Sequence, residues 1–154
     1  MGRMYTVEFE NVAVTAAQDF FEILPAANKP CVIHALYLSQ YSDVKDAEEE
    51  ILRVRIIRGH TTSGSGGAAP TPRPADSNST AAGFTAETNN TTIASAGTPV
   101  NLHSDYFNIR VGMQLIFTPE MRPRVQNANL LVVRLLAAPA DSLSMSGTLY
   151  VEEL

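Results

Sequence analysis

The chain has 154 residues, 45% of them hydrophobic and 18% charged, an ordinary globular composition and enough length for one domain with a real core. Its formal net charge of −5 excludes a general binder of nucleic acid or of anionic membrane, because nothing neutralises phosphates in bulk. The lone cysteine, Cys31, excludes an internal disulfide, and its place in the apolar run CVIHALYL predicts a buried small hydrophobe.

In chain order, the dominant hydrophobic period is two. The opening segment MGRMYTVEFENVAV alternates from Tyr5 onward and has no apolar h-region. It reads as a strand, not a signal peptide, and predicts synthesis in a cytoplasm. No later apolar run is long enough to span a bilayer. The runs DFFEILP and CVIHALYLS follow as short strands, and His34 in the second is expected to be a hydrogen-bonded core or edge histidine. Helix signals are confined to SDVKDAEEE, where Ser42 or Asp43 caps a short turn carrying Glu48, Glu49 and Glu50. That acidic run lacks the Gly-bearing pattern of a calcium loop and reads as a solvated face.

In EILRVRIIR, Leu52, Val54 and Ile56 fall on one face and Arg53 and Arg55 on the other, the pattern of a half-buried strand. The first three are expected to face inward with Leu36, Leu38, Ile116, Val132 and Leu149. The runs VNLHSDYFNI, MQLIFTP, LLVVRLLAA and SGTLYVEEL continue the series, separated by Pro, Gly, Asn, Asp or Ser. About eight strands at this spacing predict an all-β fold: a single-domain, jelly-roll-like β-sandwich over residues 1–154.

One stretch breaks the pattern. From Arg58 to Gly83, RGHTTSGSGGAAPTPRPADSNSTAAG holds no Leu, Ile, Val, Met or aromatic residue. Ordinary loops in compact domains have about four to six residues, so 59–83 is expected to be an extended loop or arm. Its TTSGSGG half is flexible, whereas PTPRP favours polyproline conformation, with Pro70, Pro72 and Pro74 fixing φ and Arg73 carried between them. Such an arm is expected to reach a neighbouring chain instead of packing on its own domain. The sequons at Asn78 and at Asn89 and Asn90 read as polar loop chemistry.

No catalytic or metal pattern emerges, and no cofactor is expected. His60 and His103 have no His/Cys/Asp spacing of a zinc site, and SGSGG has neither the lysine of a phosphate loop nor the strand-to-helix context of a nucleophile elbow. Asp105, Glu120 and Glu152 are carboxylates that a sandwich is able to bring together for glycoside hydrolysis. A carbohydrate-binding or receptor-binding module is the alternative to a structural subunit, but Trp is absent and Tyr37, Tyr106 and Phe107 lie in strand patterns that suggest core or interface. Nine of the eleven basic residues are Arg, Lys29 and Lys45 being the other two. Arg is enriched at interfaces, and in TPEMRPRV Arg122 and Arg124 flank Pro123 in an extended segment. The candidate interface residues are therefore Pro70, Pro72, Arg73, Pro74, Arg122 and Arg124.

The segments AQDFFEI, LSQYSDVKDAEEEILRVRIIRGHTTSGSGG, TPRP and TPEMRPRVQNANLLVVRLLAAPADSLSMSGTLYVEEL resemble the capsid cement or decoration proteins of tailed bacteriophages. The resemblance implies a β-sandwich subunit on the outer face of an icosahedral shell. It implies binding to the phage major capsid protein and to neighbouring copies, with a trimer favoured around three-fold axes. It implies a virion protein made in the bacterial host cytoplasm, with no nucleic-acid or membrane partner.

Overall fold

The computed structural model describes residues 2–43 and 49–154. Strands β1 (Arg3–Val14), β2 (Gln18–Leu24), β3 (Cys31–Gln40) and β4 (Ile51–His60) open the chain. Next come β5 (Arg73–Pro74), β6 (Thr85–Asn90), β7 (Val100–Asn108), β8 (Met113–Ile116), β9 (Arg124–Val125), β10 (Leu130–Leu135) and β11 (Leu143–Glu153). One sheet runs β5-β1-β11-β3-β8, with β9 beside β8 on the same edge of β3, and the other runs β6-β2-β10-β4-β7. The pairings between strands are antiparallel. With β5, β6 and β9 set aside, the remaining strands distribute between the sheets in the double Greek-key order of a jelly roll. The turn predicted at SDVKDAEEE falls largely on 44–48, outside the described residues. On its flanks the Ser42 hydroxyl accepts the Ser144 amide and the Glu50 carboxylate accepts the Ala140 amide.

The period of two decides the faces. In β11, Leu143, Met145, Leu149 and Val151 point inward between exposed or half-buried neighbours. Leu52, Val54 and Ile56 of β4 join them with Leu36 and Leu38, while Arg53 is exposed and Arg55 half-buried, as their alternation requires. Phe9 stacks on Phe20 at 5.9 Å and tilts against Phe21 at 5.3 Å, filling the space between the sheets. Cys31 is buried as expected, and burial pushes its thiol up to about 12, so it stays protonated at neutral pH.

Two inward assignments fail. Ile116 is 61% exposed: it pairs with Ala35 on the edge strand β8 and points to the outer face, while Leu115, opposite Leu36, takes the inward side. In MQLIFT the period of two sets Met113, Leu115 and Phe117 on one face and Gln114, Ile116 and Thr118 on the other, so the alternation itself places Ile116 outward. Val132 is buried, but in a second cluster with Ile57, Ala94 and Leu130 on the outer face of the five-stranded sheet.

Ala94, which closes that second cluster, follows the 59–83 segment expected to be a detached arm. Instead of reaching away, that segment is laid back on its own domain. Thr62, Ser65 and Ala68 bridge Ser95, Thr92 and Thr88, and β5 pairs with Thr6 and Tyr5 of β1. The Ala75 amide donates to the Met4 carbonyl, the Tyr5 hydroxyl donates to the Thr80 carbonyl, and Arg3 bonds the Thr80 hydroxyl. Phe84, the first large apolar residue after the run, is buried edge-on to Tyr5. A stretch without large apolar side chains thus packs mainly through its backbone, with Pro72 buried and Ala82 against the core. Gly64 and Gly67 permit the approach, since a Cβ at either position would lie 2.0 Å from the carbonyl oxygen of Thr92 or Thr88. Asn89 and Asn90, expected in a loop, are buried at the end of β6, where they accept from the Gln18 side chain and the Gly67 amide.

Three buried carboxylates of the jelly-roll strands clamp this layer. Asp19 accepts the Ala94 amide at 2.7 Å, Glu22 accepts the Gly64 amide at 3.1 Å, and Glu153 accepts the Gly83 and Phe84 amides at 2.7 and 3.0 Å. Asp19 is also bonded by Arg134 through Nε at 2.5 Å and a terminal nitrogen at 3.1 Å, and the same guanidinium reaches the Ala94 carbonyl. All of β2 except Leu24 is therefore buried.

Glu22 makes a pH prediction. Burial raises its pKa above the ordinary 4.5, outweighing hydrogen bonds from Ser63, Asn90 and Gly64. Glu87 lies directly across from it, and the Ser63 hydroxyl contacts both carboxylates, at 2.7 and 3.0 Å. One hydroxyl hydrogen serves one of them, so a protonated Glu22 completes the chain by donating to Ser63. The folded state then binds more protons than the unfolded one between the ordinary and the raised value, and stability falls as pH rises through that window. Glu22→Gln is expected to raise the melting temperature at pH 7.5 by a few degrees and to leave it nearly unchanged at pH 4. Equal destabilisation by the substitution at both pH values, in thermal melts, would contradict this.

Candidate functional site: an arginine-lined cleft at the open edge

The segment after β8 determines the shape of one edge. The Phe117 amide bonds the His34 carbonyl, Pro119–Met121 form a single 3-10 turn, and the Pro123 carbonyl accepts the Ile33 amide at 2.9 Å. Pro123 and Val125 are buried by this docking, and β9 pairs Arg124 and Val125 with Val32 and Cys31. With Pro123 held inward, the flanking arginines are forced outward: Arg124 is exposed and Arg122 half-buried.

Between this segment and the edge strand β7 lies a cleft of about 510 Å³. Arg58, His103, Glu120, Arg122 and Arg124 surround an apolar floor of Leu102, Leu115 and Phe117, with Ile116 and Met121 on the rim. Arg58 donates to the Arg124 carbonyl at 3.0 Å, and the His103 ring meets Phe117 edge-on at 5.8 Å. The Arg122 Nε is buried and has no acceptor. A smaller recess of about 200 Å³ continues round Ile116, Phe117 and Arg122 onto the outer sheet face, where Tyr37 and Tyr150 meet edge-on. Behind it, His34 and Glu152 are 2.7 Å apart. The hydrogen bond from His34 lowers the Glu152 pKa below the ordinary range; burial opposes this, and the Gly2 amide and the Arg122 charge assist it. His34, expected to be a hydrogen-bonded core or edge histidine, is hydrogen-bonded on the interior strand β3.

The remaining candidates scatter. β5 and β8 lie at opposite ends of the six-stranded sheet, so Pro70, Pro72, Arg73 and Pro74 are not brought together with Arg122 and Arg124. Pro72 is buried, Pro70 and Pro74 are half-buried, and Arg73 is exposed. Glu120 lines the cleft, Glu152 is held by His34, and Asp105 lies on β7 at 3.5 Å from His103. Phe107 is core, Tyr37 packs on Tyr150, and Tyr106 is exposed. His60 is buried with Nδ1 on the Ala96 carbonyl. Among the described residues no three His, Cys, Asp or Glu side chains are grouped to hold a metal, and no helix is long and apolar enough to cross a membrane. Arg58 and His103 were not singled out as cleft residues, because they come from β4 and β7, far in sequence from TPEMRPRV.

In comparisons with known proteins, no family model matches the chain and no curated protein is detectably similar to it.

Proposed function

We propose that the protein is a structural subunit that decorates and cements the outer surface of an icosahedral phage capsid, docking on the major capsid protein through the β7–β8 edge. The observation that carries this is the cleft at that edge: Ile116 and Met121, 61 and 62% exposed, rim an apolar floor set among Arg58, Arg122 and Arg124. Monomeric surfaces scatter such residues singly, whereas a contiguous group rimmed by arginines marks an interaction site. The resemblance of the sequence to cement proteins names the partner class, and the jelly roll is a fold compatible with that role. Neighbouring copies, as trimers around three-fold axes, then turn modest affinities into a large collective effect. An interface of ordinary size takes about 800 Å² from each partner. That is about a tenth of the 7935 Å² exposed by this chain.

Bare shells are expected to take up the protein to a fixed, symmetry-related number of copies and to resist heat better afterwards, since binding only to the assembled state stabilises it. Replacing both Arg122 and Arg124 by Ala is expected to reduce uptake at least tenfold. A saturable hit on a glycan array together with no stoichiometric uptake would overturn the proposal in favour of a sugar-binding module.

A further inference from the structure

We infer that the β7–β8 cleft takes an extended segment of its partner in which aspartates or glutamates alternate with apolar residues. The inference rests on the docking role proposed above and specifies the chemistry of the docked surface. The charge of the cleft is opposite to that of the chain: Arg58, Arg122 and Arg124 line it with one carboxylate, Glu120, and His103 has Asp105 at 3.5 Å, in a protein of net charge −5. The buried Arg122 Nε is a donor without an acceptor, and a carboxylate entering beside it supplies one.

The shape of the occupant follows from the strand that borders the cleft. β7 spans Val100–Asn108 at the end of its sheet, paired with β4 on one side and with no strand on the other among the described residues. An unpaired strand edge is a template for one more strand, which obtains affinity from main-chain bonds and specificity from alternate side chains. Side chains two residues apart on such a strand share a face and lie about 7 Å apart. One face of an added strand therefore meets Leu102 and Phe117, while its carboxylates reach the arginines. A nucleic-acid strand satisfies arginines equally well, but it makes no main-chain pairing with β7 and is repelled by the net charge of the chain.

The probe is an acetylated and amidated peptide, Gly-Asp-Val-Asp-Leu-Asp-Gly, set against the same peptide with Asn for each Asp. Titration calorimetry on the isolated protein is expected to show the acidic peptide binding at least tenfold tighter. Arg122→Gln with Arg124→Gln is expected to remove that difference, while Arg53→Gln, on the exposed face of β4, preserves it. Bound peptide is expected to slow amide hydrogen exchange across residues 100–108. Equal affinity of the two peptides, indifference to the double replacement in a variant that melts like the parent, or protection confined elsewhere would each overturn the inference. So would tighter binding of a single-stranded oligonucleotide, or a self-associated dimer, seen by sedimentation, that excludes the peptide. The shell assay separates the two levels. Uptake that is unaffected by the double replacement leaves the docking role standing and sinks the cleft. A peptide result as expected, with no uptake by shells, keeps the cleft and sinks the capsid partner.

Discussion

Val54→Asp is expected to abolish folding, while Arg53→Ala and Arg55→Ala melt close to the parent. Val54 is buried in the middle of β4, where Leu135 and Asp105 flank it in register and Leu52 and Ile56 lie on the same face. A carboxylate there is desolvated with no partner, at a cost of several kcal/mol against a total stability of about 5–15 kcal/mol. Arg53 is exposed, and the half-buried Arg55 has an Nε without an acceptor, so truncation removes an unsatisfied donor along with its packing. Circular dichroism and thermal melts check the pair. Comparable melting temperatures for Val54→Asp and Arg55→Ala would mean that the faces of β4 are reversed.

The second large effect is expected at Asp19. Its side chain is fully buried, its partner Arg134 is 13% exposed, and the two hold the backbone of Ala94 from both sides, Asp19 accepting its amide and Arg134 donating to its carbonyl. Asp19→Ala leaves a buried guanidinium uncompensated and an amide without its acceptor, which costs about 3–5 kcal/mol. Replacing Arg134 as well is expected to recover part of the loss, because the stranded charge disappears. Urea denaturation of the parent, the two single variants and the double variant measures this. A loss below about 1 kcal/mol for Asp19→Ala would show that the pair does not hold the 91–95 segment to the sheet.

How much of this was legible beforehand depends on which force holds each part. Where apolar burial decides, as at Leu52, Val54, Ile56 and Leu149, alternation gave the faces, and the count of about eight strands matched the jelly-roll core. Where both faces are covered, alternation gives way to a continuous run: Val132 and Ile57 are buried with Ala94 and Leu130, and the unbroken LLVV marks a strand covered on both sides without saying what covers it. The layer itself was misjudged because its attachment is made of main-chain hydrogen bonds to Asp19, Glu22 and Glu153, and a hydrophobicity pattern does not register such bonds. Strands as short as β5 and β9 carry too few residues for any period. Arg122 and Arg124 were recognisable from the proline between them, but the cleft they border required Arg58 and His103 from other strands.

The central claim is that the β7–β8 edge docks on a phage shell, and electron microscopy of shells saturated with the purified protein tests it most directly. The expected reconstruction shows one jelly roll at each symmetry-related site, with Ile116, Met121 and the cleft arginines turned toward the major capsid protein and the Pro70–Pro74 side turned away from it. Bare shells at saturating protein, or bound copies with the β7–β8 edge in solvent, would contradict it.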